Sequence, residues 1–523
     1  MKKIYNLPLA VCVLSFLSFA VCHAAQLPEY EINANIDTAA HTIKAHQTVT
    51  YTNNSDSQLQ EIYFHIYPNR RYTKSEIRFI YRYAGYFKID PFPEGFQSGS
   101  LSLDSVASGG DSLKFVIEGE DQTILKVILN SALKPGDSVK IDMDFKVKVP
   151  HAYGRFGWHK DIMSLVRWYP ILSVFDKQGW HNYPFYIYHL PHFSEASSYK
   201  LKLTLPADQK VASSGFLKGE VINPDGTKTM EIETDFPVRD FSLGISNSFE
   251  VYSLASGKTR VNAYYLKGDA DKARAAAEDA RDLMEFYGAR FGEYPYRDFN
   301  IVPSFLGYGG VQSSAQVFID TRVYKLPGFL HRYFDFLVSH ETGHQWFYNL
   351  IGCDEYKEMF LDEGVNSYWI LQYLESKYGK GAQVMDLPRP LQWLVPNFSF
   401  RDSAIARYLY IAKNDLDAPV IRELSSFQEP SSIFAITYGK GQAILDMLEA
   451  LIGQEDFLKI WQSYAEEFRF KNISLEEFIQ TCSKGSGRDL SWFFDEWLKT
   501  RESCDYAIKS VTPDAVTLEN RGK

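Results

Sequence analysis

Between Gln26 and about Ala255 apolar and polar positions alternate with period two, as in Tyr30-Glu31-Ile32-Asn33-Ala34-Asn35-Ile36-Asp37 and Leu201-Lys202-Leu203-Thr204-Leu205. Successive side chains of a strand face opposite ways, so this pattern predicts half-buried strands. Asn53-Asn54-Ser55, Pro135-Gly136-Asp137 and Asn223-Pro224-Asp225-Gly226 are turn signals between such runs. The expectation is a largely antiparallel, all-β domain over 26–256. Near Lys258 the period changes. Ala273, Ala276, Ala277, Ala280, Leu283, Met284 and Tyr287 recur at helical spacing within Asp269–Gly292. A strand-like Phe299–Val302 and a glycine loop, Leu306-Gly307-Tyr308-Gly309-Gly310, follow. Helical patterns then dominate, over roughly 329–350, 362–378, 437–452, 455–468, 474–482 and 489–499. This second domain is placed at 257–501. The final segment, 502–523, reads as the start of a further β segment or a tail, with Tyr506-Ala507-Ile508 and Val516-Thr517-Leu518 strand-like.

Residues 1–25 do not fit either pattern. Lys2 and Lys3 precede an apolar stretch from Leu7 to Val21, and small residues follow at Ala24 and Ala25. This is the layout of an export signal, with the cut after Ala24 or Ala25. The stretch is short for a membrane span, which needs about 20 residues. The expectation is an exported protein, periplasmic or extracellular, with no stable membrane insertion after cleavage; an uncleaved anchor is the alternative. Export would leave Cys353, Cys482 and Cys504, too few for a disulfide framework or a cysteine metal cluster. A bridge between Cys482 and Cys504 and buried free thiols both remain open. In 523 residues the net charge is −10 and no basic run exceeds a pair such as Arg70-Arg71, which excludes nucleic acid as a partner. Oligomeric state leaves no trace in the sequence. The histidines of the β domain, His151, His159, His181, His189 and His192, are scattered without ligand spacing and read as structural.

His340-Glu341-Thr342-Gly343-His344 has two histidines four residues apart on a predicted helix. They share one face, so both imidazoles can meet one ion. Hydrolytic zinc sites take three protein ligands and leave a position for water. After the stretch from Gln345 to Asp362 comes Glu363, in a second predicted helix able to run back alongside the first. One zinc ion per chain is therefore expected on His340, His344 and Glu363. Glu341, beside a ligand without being one, is placed to take a proton from water that the metal has acidified. Glu358 and Asp362 are neighbouring candidates for orienting the imidazoles.

The run His340–Phe347 followed by Leu361-Asp362-Glu363-Gly364 resembles the aminopeptidase N family of gluzincin metallopeptidases, which includes leukotriene hydrolase. Thr437-Tyr438-Gly439-Lys440-Gly441 resembles that family's tyrosine motif, which implies that Tyr438 donates to the oxyanion. Pro237–Phe241 and Asp489–Trp497 are also family-like, so the similarity spans about 28–500. The resemblance implies an α+β multidomain protein: an N-terminal antiparallel β domain followed by a thermolysin-like α/β catalytic domain. It also implies an aminopeptidase acting on peptides.

Two departures bear on that reading. Gly309-Gly310-Val311-Gln312-Ser313 occupies the place of the family's Gly-Ala-Met-Glu-Asn edge strand. There the glycines leave room for the substrate backbone, and the Glu binds the free amine. Gln312 stands in for that Glu and carries no charge. If Arg167 matches the family's β-domain arginine, the second amine anchor falls at Ile162 or Met163, both apolar. The sequence also stops about 20 residues after the catalytic part, where many members continue into a large helical domain; the expectation is a more open cleft if the protein ends at Lys523, and a truncated reading frame is the equal alternative. Three further readings stand beside the aminopeptidase: an endopeptidase indifferent to the free amine, another zinc hydrolase, and a non-catalytic protein that binds peptides along the glycine strand.

Overall fold

The computed structural model describes residues 26–186, 189, 192–393, 396–427, 429–501 and 506–520. The expected export signal and Cys504 lie outside them. The alternating residues form an eight-stranded sheet. Its order is Phe216–Ile222, Thr227–Glu233, Ser198–Pro206, Glu29–Asp37, Thr42–Thr52, Ser138–Lys148, Ser100–Ser108 and Asp111–Ser112. Every second residue of Glu29–Asp37 is buried, as the period-two pattern requires. The sheet is antiparallel except where Glu29–Asp37 runs parallel to Ser198–Pro206. Two smaller sheets pack against it through an aromatic core in which Tyr30 stacks on Tyr199 at 4.5 Å.

This part is not all-β. Helix Lys74–Tyr86 interrupts it, opened by a capping box between Thr73 and Glu76. The boundary expected at 256/257 also shifts. Strand Glu250–Ser256 pairs with Thr259–Tyr265 and belongs to the sheet of the catalytic part.

That second sheet is five-stranded, in the order Glu250–Ser256, Thr259–Tyr265, Asp298–Ser304, Gln316–Asp320 and Gly310–Ser313. Gly310–Ser313 is therefore an edge strand, antiparallel to Gln316–Asp320. Helices Ala270–Phe291, His331–Gly343 and Glu363–Tyr378 bury their apolar faces beside it. Further helices, Phe400–Lys413 and Gly441–Ile452 among them, complete the helical side. Tyr506–Val511 and Val516–Asn520 form a two-stranded hairpin. Cys353 and Cys482 are buried. Among the described residues no helix is long and apolar enough to cross a membrane.

Candidate active site

Helix His331–Gly343 carries His340 and Glu341, and His344 caps its end. The chain returns through a short helical turn to Glu363, the first residue of helix Glu363–Tyr378. His340 Nε2 lies 3.2 Å from His344 Nε2, and Glu363 Oε2 lies 3.3 Å and 3.4 Å from these two nitrogens. Glu363 Oε2 is buried and has no hydrogen-bond partner despite this proximity. Ligands about 2.0–2.1 Å from a tetrahedral zinc are separated by about 3.3 Å, so the triangle has the edge length of a zinc site. All three residues are buried, and their donor atoms form the only such group among the described residues. The donor set fits zinc.

Local packing explains why these atoms converge. Asn366, one turn into the second helix, donates to the His340 carbonyl at 2.9 Å and holds the two helices together. A Cβ on Gly343 would sit 2.2 Å from Asn366 Oδ1, so the position between the ligands must be glycine. His344 Nδ1 donates to Asp362 at 2.7 Å, which turns its Nε2 toward Glu363. Glu358, the other candidate, plays no such part. Its carboxylate accepts from the Leu475 backbone at 2.9 Å instead. Burial pushes the Glu363 carboxyl up, but the imidazoles of His344 and His340 outweigh it and hold the group well below the ordinary range.

Tyr438 sits on a π-helical turn, Phe434–Lys440, that leads into helix Gly441–Ile452. Two glycines allow this turn to approach the metal ligands. A Cβ on Gly364 would lie 3.1 Å from the Thr437 carbonyl, and one on Gly441 would lie 3.3 Å from the Gly364 Cα. The Tyr438 ring packs at 5.8 Å from the His340 ring, and its hydroxyl lies within the influence of the Glu363 charge. Burial, then the Glu363 charge, pushes this hydroxyl well up, so it keeps its proton.

Glu341 is buried, and burial raises its carboxyl, with His340 and His344 pulling it back. The edge strand runs directly beside it. A Cβ on Gly310 would lie 2.6 Å from Glu341 Cγ, and one on Gly309 would lie 2.8 Å from Leu337 Cδ2. The glycines thus make room for the helix that carries Glu341, a closer constraint than the expected clearance for substrate. Gln312 shares the face of Gly310, two residues away. It is buried, and its Nε2 has no hydrogen-bond partner. Ile162 and Met163 are packed in apolar cores at 2% and 3% exposure, which removes both as polar anchors.

The family-like Pro237–Phe241 segment fixes the end of this strand. Asp240 accepts from Ser313 Oγ at 3.0 Å and from the Ser314 backbone at 2.8 Å. Arg239 donates to the carbonyls of Ser194 and Asn349, tying the β domain to the loop after His344. Gln345 spans the same gap, accepting from Ala315 N and donating to Ser313 O.

Sequence reasoning missed a buried histidine and two arginines of the β domain that pack against Tyr348 and Glu355, between His344 and Glu363 in the chain. His192 is buried between two guanidinium groups, with Nδ1 3.1 Å from Arg167 Nη2 and Nε2 3.1 Å from Arg155 Nη1. Its backbone N–H donates to Glu355, which also meets His189 at 3.0 Å. His189 and His192, read as structural, bind the turn at Glu355 that leads toward Glu363. Tyr348, whose ring is 4.9 Å from His192, holds a φ of +124°, a strained value for a residue with a Cβ.

Residues 276–497 match the Peptidase family M1 domain. The chain is 24% identical over 343 residues to a probable aminopeptidase 2 of Sulfurisphaera tokodaii, covering 63% of this chain and 41% of that one. It is 30% identical over 165 residues to the glutamyl aminopeptidase of Rattus norvegicus, covering 31% and 16% respectively. The chain thus spans less than half the length of these curated relatives. In fold it is similar to an M1 zinc metallopeptidase from Deinococcus radiodurans, with a TM-score of 0.59 at 14% identity over 93% of this chain and 96% of that one.

Proposed function

We propose that this chain, a member of the aminopeptidase N-like gluzincins of peptidase family M1, is a zinc metallopeptidase that removes residues from the amino end of peptides. The observation that carries the reading is the convergence of His340, His344 and Glu363, with Glu341 next to His340 on the same helix and the Tyr438 ring packed against His340. A zinc ion held by the three ligands supplies a Lewis acid that acidifies water and polarises the scissile carbonyl. Glu341 takes the proton from the attacking water onto its carboxylate and passes it to the leaving nitrogen. Its burial raises the carboxyl, which suits a group that must both accept and return a proton. The Tyr438 O–H donates to the oxygen on which negative charge develops. The edge strand Gly310–Ser313 offers its free backbone groups to an extended peptide.

A second reading, an endopeptidase, is favoured by one feature. Gln312 and the buried Ile162 and Met163 offer no carboxylate for a terminal ammonium. Matched peptides with free and acetylated amino ends, incubated with the zinc-loaded protein and mapped by mass spectrometry, separate the two. Stepwise loss from free ends alone supports the aminopeptidase, and internal cuts in both peptides would overturn it. We further propose that the protein acts outside the cytoplasm, on the strength of Lys2, Lys3, the apolar Leu7–Val21 stretch and Ala24. An amino terminus still at Met1 in mature protein would count against that.

A further inference from the structure

We propose that Arg155 is a substrate-binding residue whose guanidinium pairs with a carboxylate of the peptide. The inference rests on the peptidase reading and names a substrate class for it. Arg155 belongs to strand-flanking backbone tied to the loop before the edge strand, since Gly154 N donates to the Phe305 carbonyl at 2.9 Å. Its Nε donates to the Tyr308 hydroxyl at 3.3 Å, two residues before Gly310 and its contact with Glu341.

What Arg155 lacks is a counter-charge. Among the described residues no carboxylate lies within 4.0 Å of its guanidinium, although most buried or half-buried arginines of this protein have one or are wrapped by carbonyls. Its other neighbour, His192, cannot supply what is missing. A neutral imidazole accepts at one nitrogen and donates at the other. With Arg167 at Nδ1 and Arg155 at Nε2, only one guanidinium can be accepted, and the other faces an N–H. Arg167 lies under the influence of Tyr348, Tyr67, Asp240 and Glu355. Arg155 donates besides only to the Tyr308 hydroxyl, and a half-buried cation so placed attracts an anion.

Gln312 points independently to the same ligand. Its buried Nε2 is an unpartnered N–H donor on the face of the edge strand that meets Glu341. A carboxylate oxygen satisfies such a donor and an ammonium does not. Where an amine-binding site needs carboxylates, the strand side of this cleft presents an amide and a guanidinium.

The test uses the full zinc-loaded chain carrying Glu341→Gln, so that binding is read without turnover. Calorimetric titration with trialanine, trialanine amide, and trialanine amides bearing aspartate at each position in turn compares peptides with and without a carboxylate. At least one carboxylate-bearing peptide is expected to bind about 10- to 100-fold tighter than trialanine amide. Preference for trialanine identifies the terminal carboxylate as the ligand, and preference for an aspartyl amide identifies the side chain. Adding Arg155→Gln should abolish the preference, Tyr308→Phe should reduce it, and Arg155→Lys should restore part of it. Equal binding of all the peptides, or a preference that survives Arg155→Gln in folded protein, would overturn the proposal. So would a uniform loss on every peptide, which is the result if Arg155 serves only to hold Tyr308 and its loop in place. Turnover by the unsubstituted chain is scored separately. A binding preference without cleavage would sink the peptidase reading and leave the carboxylate subsite standing.

Discussion

The metal side of the cleft and the strand side place their polar groups under opposite conditions. On the metal side two of the ligands are held by partners from the facing helical segment: His344 by Asp362, and the His340 backbone by Asn366. On the strand side Gln312 Nε2 and Arg155 come from separate domains and are left short of partners. A rigid, pre-aimed donor set favours one ion and one geometry. An under-satisfied set of donors waits for a ligand to complete it. On the proposed reading the first arrangement serves the reaction and the second the choice of substrate.

Substitutions on each side should therefore fail differently. Glu341→Gln keeps the shape of the metal side and removes its base, so turnover should fall about 10²- to 10⁴-fold while zinc content stays unchanged. Tyr438→Phe should cost about 10²- to 10³-fold in kcat if its hydroxyl meets the developing oxyanion. An unaltered rate in either variant would return that residue to a packing role. Gly310→Ala crosses between the sides, because its Cβ would press on Glu341 at 2.6 Å. We expect about 100-fold lower turnover, since a misplaced base loses its alignment. A stability loss of about 1–3 kcal/mol by thermal unfolding should accompany it. Wild-type turnover in Gly310→Ala would show that the strand can retreat and that the two sides are independent. Asp362→Ala should weaken zinc about 10- to 100-fold in competition with a chelating dye. An unchanged affinity would mean that His344 is aimed by its packing alone.

Much of the architecture is legible in local patterns. Alternation over Tyr30–Asp37 and helical spacing over Ala273–Tyr287 predict elements that the structure contains, because burial of one face is a local property of sequence. Helix Lys74–Tyr86 is harder to see. Aromatic and charged residues dominate it, and its capping box at Thr73 and Glu76 is the one clear sign. The hairpin that carries Glu250–Ser256 into the second sheet is invisible to texture, since a strand reads alike whichever sheet it joins.

The four-residue repeat of His340 and His344 and the return to Glu363 are written in the chain because a helix converts spacing directly into direction. From these residues the sequence by itself determined the donor set that the structure brings together and the metal that set fits. Only the tertiary structure decided why Gly310 must be glycine, that Asp362 and not Glu358 meets His344, and that Arg155 and His192 border the site. Those contacts join residues from different domains or different turns of the fold. No periodicity encodes them, and they exist only once packing has brought the edge strand, the β domain and the metal helix together.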